Sequence, residues 1–282
     1  RRPPSSTLFP YTTLFRSGDY IETAAGYGRG ASEIKLGRAL LGRRDRVTLV
    51  SKSAAKTADQ AKRELEETLN RLQTDRLDLW LFHGVSSAET IDALTAPGGA
   101  AGAFADAKRQ GLVRHIGLST HWPAIVPEAM DRLPIEAIMV WINYLARCNY
   151  PEIEAEVIPA ARARGLGVIG MKPLGDGYLH RSVDDAFAYA LSRDVDVLAC
   201  GFNSPAMLAA DLTAIRRQVR QSDEAILAEA VELGDYVCRQ CGRCMPCPAG
   251  VDIPRIFELE GKFDQQMADG RPCAAEDRKS VV

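Results

Sequence analysis

Ile21-Glu-Thr-Ala-Ala-Gly-Tyr27 is the stretch from which the fold can be read. A short apolar approach ends in an acid, Glu22, and past a glycine a phenol follows at Tyr27. A strand that delivers a carboxylate at its C-terminal end, then a Gly-containing loop carrying a tyrosine, suits a site on the C-terminal face of a parallel α/β barrel. The same punctuation recurs downstream. Val47-Thr-Leu-Val-Ser-Lys52 is a β-branched apolar run ending in lysine, Leu77-Asp-Leu-Trp-Leu-Phe-His83 ends in histidine, and Arg114-His-Ile-Gly-Leu-Ser-Thr120 ends in two hydroxyls.

Between these runs the period changes to that of helices. A helix is expected over 31–41, with apolar Ile34, Leu36, Ala39, Leu40 and Leu41, Ser32 as its cap and Gly42 as its stop. A charged amphipathic helix is expected over 58–72, turning Ala61, Leu65, Thr68, Leu69 and Leu72 inward. After a long, partly Gly-rich segment come a helix near 100–110, a helix at 123–132, a strand at 135–142 and a helix at 151–164. A strand at 166–171, a helix at 182–193, a strand at 195–200 and a helix at 205–219 complete the series, giving seven countable β units. An open doubly wound sheet would carry a Gly-rich phosphate fingerprint after its first strand, with an acid about 20 residues on. None is present. Polar residues instead close strand after strand, at Glu22, Lys52, His83, Ser119, Asn143 and Lys172. The expected fold is therefore α/β, a (β/α)8 TIM barrel lacking its native first strand, which would lie upstream of Gly18.

The chain has 282 residues, 46% hydrophobic and 26% charged, enough for one large α/β domain or a barrel with a small appendage. Its 35 basic and 37 acidic residues are scattered and sum to −2, which argues against nucleic acid or an anionic membrane as partner. No apolar run reaches the roughly 20 residues of a membrane span and no secretory signal follows the N-terminal arginines, so the chain reads as soluble and cytoplasmic. The two ends read as foreign. Thr12-Thr-Leu-Phe-Arg-Ser17 can be written ACG ACG CTC TTC CGA TC, whose complementary strand encodes Asp-Arg-Lys-Ser-Val-Val, the string at Asp277 to Val282. The expected organisation is a non-native, sequencing-adapter-like segment over 1–17, a barrel over 18–220, a small helical segment truncated at its C-terminus over 221–276, and a non-native tail over 277–282.

That segment carries Cys238-Arg-Gln-Cys241-Gly-Arg-Cys244-Met-Pro-Cys247-Pro248, a C-x2-C-x2-C-x2-C-P run close to the bacterial ferredoxin pattern. Thiols this close in a chain without a secretion signal read as ligands rather than disulfides, and three at this spacing can wrap one 4Fe–4S cubane. The last ligand stays open between Cys247, Cys273 and a residue beyond the chain. Zinc is the alternative metal, although four-cysteine zinc sites usually separate two C-x2-C pairs.

The ordered set Glu22-Thr-Ala-Ala-Gly-Tyr27-Gly with Ser32-Glu33, Val-Ser-Lys52, Leu-Phe-His83, Gly111-Leu-Val-Arg-His-Ile-Gly-Leu-Ser119, Met171-Lys-Pro-Leu-Gly175 and Gly201-Phe-Asn-Ser-Pro205 resembles the aldo/keto reductase family over roughly 18–220. The cysteine run and the helix-like 255–267 resemble that family's iron–sulfur branch. The resemblance implies an NAD(P)H-dependent oxidoreductase that reduces aldehydes or ketones, with Tyr27 as proton donor, Lys52 and His83 beside it, and position 22 as the carboxylate paired with the lysine. The chemistry agrees. A free phenol of pKa about 10 is a poor acid at neutral pH, and a neighbouring ammonium favours its phenolate. The family has Asp where this chain has Glu22, which moves the carboxylate by about 1 Å if the strand stays put, a displacement that can cost about 100-fold in rate.

For the cofactor the resemblance implies Ser119 and Thr120 at the nicotinamide carboxamide, where the family has Ser-Asn, with Asn143 as a further candidate. It also implies Pro173, Leu174 and Gly175 over the pyrophosphate, and Gly201, Asn203 and Ser204 as backbone donors to phosphate. NADPH is the family's usual cofactor, and NADH stays open because no Lys or Arg follows closely behind Pro205. The implied partners are a small-molecule carbonyl substrate and an electron-transfer protein. A nucleotide-binding redox sensor or electron-transfer subunit with little turnover is the competing reading. Taken alone, His83 reads rather as a satisfied core histidine, and its company with Tyr27 and Lys52 decides for chemistry. Met139, Trp141, Cys148 and Cys200 read as packing. Lys172 reads as solvated or near cofactor phosphate, and Ser32 and Glu33 as no more than a helix start.

Overall fold

Apolar runs alternating with amphipathic stretches give the strand–helix repeat of the computed structural model, which describes residues 20–202, 204–217, 225–228, 230, 244–254 and 256–257. The adapter-like segments, Asn203, Cys238, Cys241, Cys273 and most of 221–276 lie outside the described residues. Seven strands, β1 (Tyr20–Glu22), β2 (Thr48–Ser53), β3 (Leu77–His83), β4 (Val113–Ser119), β5 (Ala137–Trp141), β6 (Gly167–Met171) and β7 (Val197–Ala199), follow one another in sequence order in one sheet. Parallel pairing sets Glu22 beside Val50, Lys52 beside Leu81, and His83 beside Ser119. A doubly wound sheet reverses its order at a switch point. This one does not, as the barrel reading expects.

The helices are α1 (Ala31–Ala39), α2 (Ala58–Leu72), α3 (Ala88–Thr95), α4 (Ala100–Arg109), α5 (Val126–Arg132), α6 (Tyr144–Asn149), α7 (Ile158–Ala163), α8 (Val183–Ser192) and α9 (Pro205–Arg217). The boundaries of α2 match the expected ones, and it buries Ala61, Leu65, Thr68 and Leu72. Three departures stand out. Helix α1 buries Glu33 and Gly37 while Ile34 and Leu41 are exposed, and its cap is Gly30 rather than Ser32. Helix α3 occupies the segment expected to be loop, started by Ser87, whose side chain accepts from the Thr90 amide. The helix expected over 151–164 comes in pieces: α6 precedes it, and a π turn over Ile153–Val157 leads into α7.

The chain divides into two compact units. The described part of the first comprises 20–140, 152–169 and 195–197. Strand β3 is buried on both faces, as a parallel strand between layers is. Two of its rings, Trp80 and Phe82, stack on Phe104 of α4 with centroids 3.6 and 3.8 Å apart. Near the N-terminal ends of the strands run ionic ties on two buried carboxylates. Asp78 takes Arg44 at 2.8 Å, Arg114 at 3.1 Å and the Leu49 amide at 2.9 Å. Asp196 takes Arg162 at 2.6 Å and the Val168 amide at 2.7 Å. The second unit comprises 141–151, 170–194 and the described residues from 198 onward. Its core gathers Tyr144, Leu174, Leu179, Phe187, Tyr189 and Ile226, with Cys148 and Cys200 packed alongside. Among the described residues no helix is long and apolar enough to cross a membrane.

Candidate active site

The C-terminal ends of β1, β2 and β3 deliver Glu22, Lys52 and His83 to one place. The loop after β1 returns Tyr27 to them. Its path rests on the Ala24 carbonyl, which accepts from the Tyr27 amide at 3.0 Å, and on a turn in which Gly28, Arg29 and Gly30 all take positive φ. Lys52 is 2% exposed, and its ammonium is satisfied on three sides. It pairs with the Glu22 carboxylate, donates to the Thr23 carbonyl at 3.0 Å and donates to the Tyr27 hydroxyl at 3.3 Å. Burying an ammonium this deeply is costly without such partners. The methylene that Glu22 adds over aspartate does not prevent it from reaching Lys52.

Tyr27 is 42% exposed, so a buried cation on one side meets open solvent on the other. His83 stands edge-on to the Tyr27 ring, with centroids 5.8 Å apart. Burial, helped by the Lys52 charge, pushes the His83 pKa down to about 4, so its ring is neutral near pH 7. Tyr20 shares a strand face with Glu22, two residues before it. Its buried hydroxyl lacks a hydrogen-bond partner among the described residues. Burial lifts that phenol well above its ordinary pKa, with the Glu22 carboxylate adding in the same direction. Tyr20 escaped the sequence reading, although its position two residues before the acid was a usable signal.

Ser119 ends β4 beside His83 and is 4% exposed. Thr120 is turned to other work. Its hydroxyl donates to the Val85 carbonyl at 2.5 Å and accepts from the Trp122 amide at 2.9 Å, tying the loop after β3 to the loop after β4. Within the second unit, Asn143 caps α6, accepting from the Ala146 amide at 2.7 Å and donating to the Lys172 carbonyl at 2.8 Å. The segment that follows β6 is tightly coiled, with Lys172, Gly175 and Asp176 all at positive φ. The Lys172 ammonium pairs with Asp176 at 2.7 Å and lies 4.9 Å from the centre of the Trp141 ring. Pro173 and Leu174 are buried. Gly201 is exposed, and Ser204 starts α9 by accepting from the Met207 amide at 3.1 Å.

Cys200 lies 3.6 Å from the Asp211 carboxylate. Burial, then that carboxylate, raises its thiol pKa far above the ordinary value, which makes it inert packing. Cys244 is exposed and Cys247 half-buried, both as free thiols. No group of three or more His, Cys, Asp or Glu gathers as a metal site among the described residues, which exclude Cys238 and Cys241.

The family described as Aldo/keto reductase family matches residues 13–199. The chain belongs to the aldo/keto reductase family. This aldo/keto reductase chain is 27% identical over 173 residues to the Bacillus subtilis protein named uncharacterized oxidoreductase YqkF, a match covering 57% of this chain and 53% of that one. It spans about half the length of the curated relatives it matches. Its fold is that of the aldo-keto reductase AKR11C1 from Bacillus halodurans in its holo form, with a TM-score of 0.62 at 23% identity over 76% of this chain and 82% of that one. The aldo-keto reductase from Klebsiella pneumoniae solved in complex with NADPH is similar at a TM-score of 0.57 and 25% identity, over 76% of this chain and 79% of that one. The family is one of oxidoreductases, and the strand-end residues described above are its candidates for the reacting groups.

Proposed function

We propose that this chain reduces aldehydes or ketones to alcohols with NADPH, NADH remaining open, and that Tyr27 gives the proton. The observation that carries this reading is the buried Lys52 ammonium 3.3 Å from the Tyr27 oxygen, braced by Glu22. A nicotinamide nucleotide, when bound, would supply the hydride. The phenol gives its proton to the carbonyl oxygen as negative charge develops there, while the ammonium donates to the phenol oxygen and sets positive charge against it. Neutral His83, edge-on to the ring, can donate an N–H to the same carbonyl oxygen and so orient it. Glu22 pairs with Lys52 and holds it in place.

For a nicotinamide nucleotide the family resemblance offers Ser119 for the carboxamide, Pro173, Leu174 and Gly175 for the pyrophosphate, and Gly201, Asn203 and Ser204 for phosphate, Asn203 lying outside the described residues. Thr120 and Asn143 would contribute only what their internal hydrogen bonds leave over. Steady-state NADPH oxidation against a panel of aldehydes and ketones tests the reading. Tyr27→Phe should lower kcat by about 100-fold or more, and equal rates in wild type and variant would overturn it.

We also assign a 4Fe–4S cluster to Cys238, Cys241 and Cys244, completed by Cys247, Cys273 or a residue beyond the chain. The described donors suit it: Cys244 and Cys247 are free thiols near the surface, and the chain turns at Gly250, whose amide donates to the Cys247 carbonyl at 2.9 Å. Such a cluster would supply one-electron chemistry and a docking interest for an electron-transfer protein. The competing reading, a nucleotide-binding redox sensor with little turnover, draws its support from Thr120, whose hydroxyl is engaged by its own loops. Negligible rates in both wild type and Glu22→Asp, with nucleotide still bound, would favour it.

A further inference from the structure

We infer that Glu33 is a positioning residue that registers the turn bearing Tyr27 against the strand bearing Lys52. The inference rests on the reading of Tyr27 as proton donor. Glu33 lies in the first turn of α1, six residues after Tyr27, and its carboxylate is wholly buried. Each of its oxygens is held. One accepts from the Ser51 hydroxyl at 2.7 Å and the Thr68 hydroxyl at 2.9 Å, and the other from Arg71 Nη1 at 3.2 Å. Ser51 is the residue before Lys52 on β2, while Thr68 and Arg71 belong to α2. A single carboxylate therefore joins β2, α1 and α2 directly behind the two groups whose 3.3 Å separation carries the proposed chemistry.

Two further ties act on the same turn. Beside Glu33, the Ser32 hydroxyl accepts from the Thr23 hydroxyl at 2.8 Å, and the Thr23 carbonyl in turn accepts from Lys52. Arg71, held by Glu33 and by Glu67 at 2.5 Å, lies against Gly30. A Cβ on Gly30 would fall 2.8 Å from Arg71 Nε. The turn from Tyr27 to Gly30 thus runs from the reacting hydroxyl to the top of the Glu33–Arg71 pair, and its three consecutive positive φ values keep the path short. Burying a carboxylate is costly unless it is fully bonded. A helix start alone would not need it, since a first-turn acid also assists a helix from the solvent.

The test compares Glu33→Gln, Thr68→Val and Ser51→Ala with wild type and with the surface control Glu128→Gln. Misplacing a reacting group by about 1 Å can cost about 100-fold. Glu33→Gln is expected to lower kcat by about 10- to 100-fold, raise the solvent deuterium isotope effect on kcat and leave the NADPH dissociation constant within about twofold. The single-donor variants should lose less, in the same pattern. If Glu33→Gln fails to fold, Thr68→Val and Ser51→Ala carry the test. Loss of kcat with an unchanged isotope effect, or a parallel loss of nucleotide affinity, would overturn the inference in favour of a merely structural acid. Should wild type reduce no carbonyl at all, the proposed reaction fails separately. The positioning role is then read from hydrogen exchange: Glu33→Gln should deprotect the Tyr27 and Arg29 amides while β3 and β4 stay protected. Unchanged protection at 27–30 would overturn it.

Discussion

His83 combines two properties that pull against each other, a place beside a buried ammonium and a ring that has to stay neutral there. Burial first, and the Lys52 charge second, lower its pKa from the ordinary 6.5 to about 4. The unfolded chain therefore binds the extra proton between pH 6.5 and 4 while the folded chain does not. The contribution of this group to stability is complete above pH 6.5, falls away as the pH drops toward 4, and amounts to about 3 kcal/mol at most. Urea unfolding of wild type and His83→Gln across that window checks this. Wild type should lose more stability on acidification than the variant, and parallel curves would contradict the low pKa. At the same scale, the carboxylate of Glu22, although one methylene longer than aspartate, meets Lys52.

At the scale of elements, α1 departs furthest from its reading in the sequence, and its contact with α2 explains why. A Cβ on Gly37 would sit 2.4 Å from the Arg71 carbonyl oxygen, so the two helices approach backbone to backbone at that point. Gly37→Ala must push them apart, at an expected cost of about 1–3 kcal/mol, read as a lowered Tm in thermal unfolding followed by circular dichroism. An unchanged Tm would show that the contact yields freely. The approach also explains which residues face inward. A glycine and a fully bonded carboxylate fit there, and Ile34 and Leu41 are left toward solvent, so of the expected apolar stripe only Leu40 is buried, with Leu36 half-buried.

Helix α2 and strand β3 were legible in their bounds and, apart from half-buried Leu69, in the inward face of α2, because those faces are apolar, with Thr68 as the polar member, and their periods are unbroken. Helix α3 was not, because its eight residues sit between polar and Gly-rich neighbours and its start depends on one serine hydroxyl. For the candidate site, the strand ends announced themselves as isolated polar residues after apolar runs. What those residues bond to was not legible. Thr120 and Asn143 looked like ligand-binding groups, yet each satisfies a loop or a helix start, a choice set by neighbours distant in sequence.

At the scale of the molecule, family membership joins the strand order to the site, while the cysteine run adds something the barrel does not require. Anaerobic reconstitution with iron and sulfide should give a brown protein whose visible absorption bleaches on reduction and whose reduced form has an EPR signal, both lost in Cys244→Ser. A colourless product carrying stoichiometric zinc would replace that assignment. The ionic ties of Asp78 and Asp196 lie at the opposite ends of the strands from Glu22, Lys52 and His83. The scaffold is thereby divided between two masters. One rim can drift, be re-engineered or be hardened against heat with the reaction left alone, and the other can acquire new substrates without renegotiating the terms on which the chain folds.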